Sequence, residues 1–115
     1  MARSIIPSPL VRRHLLEQRL DAARALQIAE AYLAEERVVE AIAFLRQGGA
    51  DERLAALRAS ACQEGDAFLL REVARAQGRP PEAQEWRALA EAAEAAGKTL
   101  YADDARRQVG RGEGG

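Results

Sequence analysis

Histidine and cysteine each occur once, as His14 and Cys62, and that alone removes much of the chemistry a small protein can perform. A single histidine cannot build a two-histidine metal site or a relay between histidines. One cysteine forms no internal disulfide and no multi-thiolate cluster. A Cys–His dyad would need Cys62 and His14 to meet across the fold. Cys62 sits among apolar helical neighbours, with nothing in its own segment to lower its pKa, and reads as a packed core thiol. His14 reads as a half-buried residue on a helix face. Carboxylates are plentiful, but Glu35-Glu36, Asp51-Glu52 and Asp103-Asp104 fall at helix ends and on polar faces, where solvation accounts for them. Glu91 and Glu94, three apart, lack the matching Glu-x-x-His of a di-metal helical bundle. Glycines occur singly or as the pairs Gly48-Gly49 and Gly114-Gly115, with no phosphate loop and no glycine–lysine–serine element. The expectation is a non-enzyme with no cofactor and no metal.

Two arginine patterns remain as candidate contact surfaces. Arg71, Arg75 and Arg79 recur every four residues, which would set three guanidinium groups along one helix face for bidentate contact with an acidic partner surface. Exposed ion pairs with Glu72 and Glu82 are the alternative use of that row. The second pattern is at the start of the chain, where residues 1–19 hold four arginines and one glutamate. Arg12, Arg13 and Arg19 lie there close to the adjacent apolar pair Ile5-Ile6. An apolar pair beside arginines has the make-up of a protein-binding hot spot, and Ile5-Ile6 serves either as a docking segment or as a cover for the open end of the fold. The net charge of −1 and the lack of aromatics interleaved with the arginines argue against nucleic acid.

These surfaces require elements to carry them, and the composition supports only one kind. At 115 residues the chain is long enough for one domain. It is 48% hydrophobic, chiefly through alanine, and only 4% aromatic, which favours helix over strand. Arginine supplies 16 of the 17 basic residues, a bias consistent with bacterial-like, GC-rich coding. No apolar run approaches the roughly 18 residues of a membrane span, and no signal-peptide core follows Met1, so the expected location is cytoplasmic.

Capping and periodicity then predict seven helices. Residues 1–7 form an extended arm. Ser8-Pro9 starts a first helix to about Gln18, with Leu10, His14 or Leu15, and Leu16 inward. Asp21 caps a second helix to about Glu35, apolar on two sides through Ala22, Ala25, Leu26, Ala29 and Leu33 and through Ile28 and Tyr32. The third spans Val38 to Gln47 and closes on Gly48-Gly49. The fourth opens at Asp51 with Leu54, Leu57, Ala61 and Cys62 inward, and Gly65-Asp66 divides it from the fifth. That helix buries Phe68 or Leu69, with Leu70, Val73 and Ala74, and stops at Gly78 before the extended Arg79-Pro80-Pro81 link. The sixth runs from about Glu82 to Ala96 with Trp86, Leu89, Ala90 and Ala93 on one face. The seventh covers Thr99 to about Gln108 and offers Leu100 or Tyr101, Ala102, Ala105 and Val109. Residues 110–115 are expected to be a flexible tail.

Short connections imply antiparallel neighbours, and three successive pairs, near 21–47, 51–77 and 81–108, repeat the same plan. The first pair places Ile28, Ala29 and Tyr32 on one helix against Ala41 and Leu45 on the next. The last places Trp86, Leu89 and Ala90 against Ala102. This alternation of small and large residues resembles the tetratricopeptide-like (α-solenoid) helical-repeat family, while the middle pair carries Arg58 where that pattern has a small residue. The fold expected is therefore all-α, about seven short antiparallel helices stacked as helical hairpins over a single domain at 8–109, with a closed bundle as the alternative. The resemblance implies a scaffold that binds another protein, an adaptor or signalling regulator. The alternative function is a self-associating module forming a homo-oligomer.

Overall fold

The computed structural model describes the backbone of residues 5–114 and the side chains of residues 5–111. Of the expected arm at 1–7, residues 1–4 lie outside the described residues. Described residues contain seven helices and no strand: α1 (Pro9–Glu17), α2 (Ala22–Ala34), α3 (Val38–Gln47), α4 (Asp51–Glu64), α5 (Ala67–Gln77), α6 (Ala83–Ala95) and α7 (Thr99–Gly114). The fold is all-α, and α2–α3 and α6–α7 pack as helical hairpins. The chain forms two compact units, one up to Leu54 and one from Ala55 on.

In the first unit the caps explain where the helices begin. The Ser8 hydroxyl accepts from the Val11 amide at 3.4 Å, with Pro9 as the first helical residue. The Asp21 carboxylate accepts from the Arg24 amide at 2.9 Å. Between α2 and α3 the chain reverses at Glu36, which takes the left-handed conformation at φ 59°, and the Arg37 amide closes back on the Tyr32 carbonyl at 2.9 Å. Ala25, Ala29 and Ala41 are wholly buried. Their short side chains permit close helix packing, and Ile28, Tyr32, Phe44 and Leu45 fill the space around them. The Tyr32 and Phe44 rings stack with centroids 5.8 Å apart. After α3, Gly48 lies so close to Leu26 that an added Cβ would stand 2.6 Å from its Cδ2.

The second unit starts within α4. Asp66 caps α5 by accepting from the Leu69 amide at 3.0 Å, and Gly78 ends that helix in the left-handed region at φ 67°. The Glu85 carboxylate reaches back to the Glu82 amide at 3.0 Å and fixes the start of α6. Leu69, Leu70, Val73 and Ala74 of α5 are buried, as are Trp86, Leu89, Ala90 and Ala93 of α6 and Ala102 and Ala105 of α7. Gly65, at φ +70°, brings the α4–α5 turn against α6, where an added Cβ would stand 2.7 Å from both the Cα and the backbone nitrogen of Ala93.

Several inward assignments differ from the expectation. Leu10 is 79% exposed rather than buried, because it lies five residues from Leu15, the buried residue of α1, and so on the far side of the helix. His14 is also exposed. On α5, Leu69 is buried and Phe68 points out at 61% exposure. On α7, burial of Ala102 and Ala105 leaves both Leu100 and Tyr101 outside, at 83% and 57%. The α7 backbone also stays helical through Gly114, past the expected end near Gln108.

The glycine environments yield a direct comparison. Gly97 also sits at positive φ, but an added Cβ there would meet nothing within 4 Å. Gly97→Ala should cost about 1–2 kcal/mol for the left-handed conformation. Gly65→Ala should cost about 1–3 kcal/mol more for the clash with α6. Urea unfolding of the two variants measures the difference, and equal costs would contradict the close approach of Gly65 to Ala93.

Candidate functional site

The N-terminal surface belongs to the first unit. Ile5 is 52% exposed and Ile6 is half-buried. Arg12 turns inward: its Nη2 donates to the Glu40 carbonyl at 2.9 Å, and its guanidinium lies 5.7 Å from the Tyr32 ring centroid and 5.6 Å from that of Phe44. It ties α1 to α2 and α3, a role its sequence neighbours do not suggest. A second cation, Arg37, lies 5.0 Å from the Tyr32 centroid and grips Glu40 through two hydrogen bonds of 2.8 and 2.6 Å. That grip holds the Glu40 carboxyl below the usual range. Arg13 remains on the outer surface in an exposed pair with Glu17 at 3.4 Å, a contact worth under about 1 kcal/mol. Arg19 is exposed, and His14 stays beside Gln18, ring nitrogen to amide nitrogen 2.9 Å. Leu10, 79% exposed, adds apolar surface one turn before Arg13, and Val11, 49% exposed, adds it on the side of Leu15. The outward set is thus Ile5, Leu10, Val11 and Arg13.

The arginine row of the second unit is interrupted. Arg71 donates to Asp104 of α7 at 2.8 Å while its guanidinium lies 5.0 Å from the centroid of Trp86 in α6. The hydrogen bond from Arg71 is the main cause holding the Asp104 carboxyl below its ordinary range. Arg75 is outward, in an exposed contact of 3.4 Å with Glu72. Arg79 departs from the predicted line because Gly78 ends α5 in a left-handed turn, so the four-residue period stops before reaching it. Beside Arg71 a groove of about 380 Å³ is lined by Pro80, Pro81, Trp86, Gln108 and Arg111.

Arg58 holds Pro80, one of the residues lining that groove. Only 5% exposed, it donates through Nε and Nη2 to the two Glu85 carboxylate oxygens, both at 2.7 Å. It also donates to the Gln77 side chain at 2.8 Å and to the Arg79 and Pro80 carbonyls at 2.9 and 3.2 Å. The same side chain therefore satisfies the link after α5 and orients the start of α6. The signal in the sequence was an arginine between Leu54, Leu57 and Ala61, followed downstream by a Pro-Pro turn whose ring nitrogens donate no hydrogen bonds. Bonding to Arg58 lowers the Glu85 pKa. Burial, assisted by the Glu85 charge, raises that of Cys62.

These shifts have readable consequences. A depressed Glu85 pKa means its contribution is complete at neutral pH and declines as pH drops below the ordinary glutamate value of about 4.3, through its lower folded value. Glu85→Gln, which leaves Arg58 buried without its counter-charge, should cost about 3 kcal/mol at pH 7. The gap between variant and wild type should narrow toward pH 3 in urea titrations; a gap independent of pH would contradict the Arg58–Glu85 assignment. Cys62 should alkylate at pH 7.5 at least about tenfold more slowly in the folded chain than in urea, as followed by mass spectrometry.

Among the described residues no group of three or more His, Cys, Asp or Glu side chains is gathered as a metal-binding set, and no helix is long and apolar enough to cross a membrane. No protein-family model matches the chain, and comparisons with curated proteins and with solved structures find no match.

Proposed function

We propose that the chain is a non-catalytic protein-interaction module, an adaptor or regulatory component, that holds a partner protein on the outer face of α1 and the residues just before it. The observation that carries this reading is the exposure of Leu10 one turn before Arg13, with Ile5 and Val11 also exposed in the same segment. Large apolar side chains left in water next to arginine, in a segment with four arginines to one glutamate, suit a partner surface that is apolar at its centre and acidic at its rim. The tetratricopeptide-like alternation of small and large residues supports the same class of function. The row of Arg71, Arg75 and Arg79 supports it less, since Arg71 is engaged with Asp104 and Trp86 and Arg79 has left the helix. The cytoplasm is the compartment that suits a chain with one cysteine and no disulfide.

The test is affinity capture from native extract with the double variant Leu10→Glu, Val11→Glu beside wild type and Arg75→Glu. Because both leucine and valine are exposed, the double variant should keep its thermal midpoint within about 4 °C. It should lose the proteins that wild type and Arg75→Glu retain. Retention of the same partners by the α1 variant would overturn the reading.

A further inference from the structure

A helix face turned to water is ordinarily polar. Leu100 on α7 is instead 83% exposed. At 100° per residue, Leu100, Asp103, Arg107 and Gly110 fall within about a quarter turn of one another, on the side away from the buried Ala102 and Ala105. All four are exposed. An added Cβ at Gly110 would meet nothing within 4 Å, so this end of the face is flat and open.

The order of these residues is self-complementary. Leu100 and Gly110 lie equally far on either side of Ala105, and so do Asp103 and Arg107. We propose that α7 pairs antiparallel with α7 of a second copy of this chain, about a two-fold axis at the level of Ala105. Such an axis sets Leu100 of each copy over Gly110 of the other, and Asp103 of each against Arg107 of the other, using a single register for both contacts. The glycine supplies the space into which the leucine packs. A parallel approach would set Asp103 against Asp103 and Arg107 against Arg107, and the aligned helix dipoles would oppose it as well. Within one copy, Asp103 contacts Arg106 at 3.3 Å and Arg107 contacts Asp104 at 3.7 Å. Asp103 and Arg107 are themselves solvent-exposed, and Asp104 keeps its bond to Arg71, so exchanging these contacts for ones across the axis costs little. A pairing of two four-turn helices buries less than the about 1,200 Å² of a standard interface, so dissociation constants in the range of about 10 μM to 1 mM are expected.

Sedimentation equilibrium on the full chain, from about 10 μM to 1 mM, reads the association. Asp103→Arg and Arg107→Asp each place like charges across the axis and should weaken the dimer at least tenfold. The combined swap of both residues restores opposite charges and should bring it back to within about threefold of wild type. Leu100→Asp should also weaken it tenfold or more. Thermal midpoints of every variant, followed by circular dichroism, confirm that α7 remains folded. A wild type that is monomeric at 1 mM overturns the proposal. A dimer indifferent to the single reversals, or a swap that fails to restore association, also overturns it. The α1 variant Leu10→Glu, Val11→Glu should dimerise as wild type does, which separates this surface from the partner surface on α1.

Discussion

The distance between paired helices is the constraint on which the rest depends, and alanine sets it. Ala25, Ala29 and Ala41 in one unit, and Ala90, Ala93, Ala102 and Ala105 in the other, are at most 3% exposed. Close approach gives dense packing but removes little apolar area per residue, because a methyl group is all that each position contributes. The large side chains that remain carry a disproportionate share of the core. Tyr32, Phe44 and Trp86 are the three buried aromatics, and each has a guanidinium within 5.6 Å of its ring centroid. Arginine thus extends the thin core: its planar head covers a ring face while its donors reach a neighbouring helix.

This use of arginine separates the residues that hold the fold from those that present a surface. Arg12, Arg58 and Arg71 each bind elements together: Arg12 reaches the Glu40 carbonyl, Arg58 holds Glu85 and the Pro80 carbonyl, and Arg71 holds Asp104. Among the described residues, Arg13 and Arg75 pair with carboxylates one helical turn along their own helices, in exposed contacts. Charge alone does not distinguish the two groups. What differs is whether an aromatic or a group of carbonyls on another helix lies within reach.

Much of the architecture was legible from the chain. Ser8-Pro9, Asp21, Asp66 and Gly78 announce helix ends through local hydrogen bonding and backbone freedom, which short sequence windows contain. The stripes of α6 and the centres of α2, α3 and α5 followed from period alone. Periodicity was weakest at the first and last helices, α1 and α7, where a short stripe admits two rotations: it puts Leu10 inward and leaves Leu100 and Tyr101 as alternatives, whereas all three are exposed. The candidate surface was legible only as a region. Arg12 and Arg13 are neighbours with opposite roles, and their difference arises from Tyr32, Phe44 and Glu40, distant in sequence. Arg58 was visible as a departure from a small-residue position, but its partners lie 19 to 27 residues away. The row of three arginines failed at Gly78, because the helix ends before its last member.

The choice of arginine over lysine also decides how the fold meets alkali. A guanidinium keeps its proton far above the range in which an amine loses it, and the bond to Glu85 raises the Arg58 pKa further still. The tie made by Arg58 therefore persists in base, where a lysine in its place would discharge near pH 10 and release the start of α6. Glu85 and Asp104, the carboxylate partners of Arg58 and Arg71, give those two ties an acid limit. The tie from Arg12 ends on a backbone carbonyl and has no such limit.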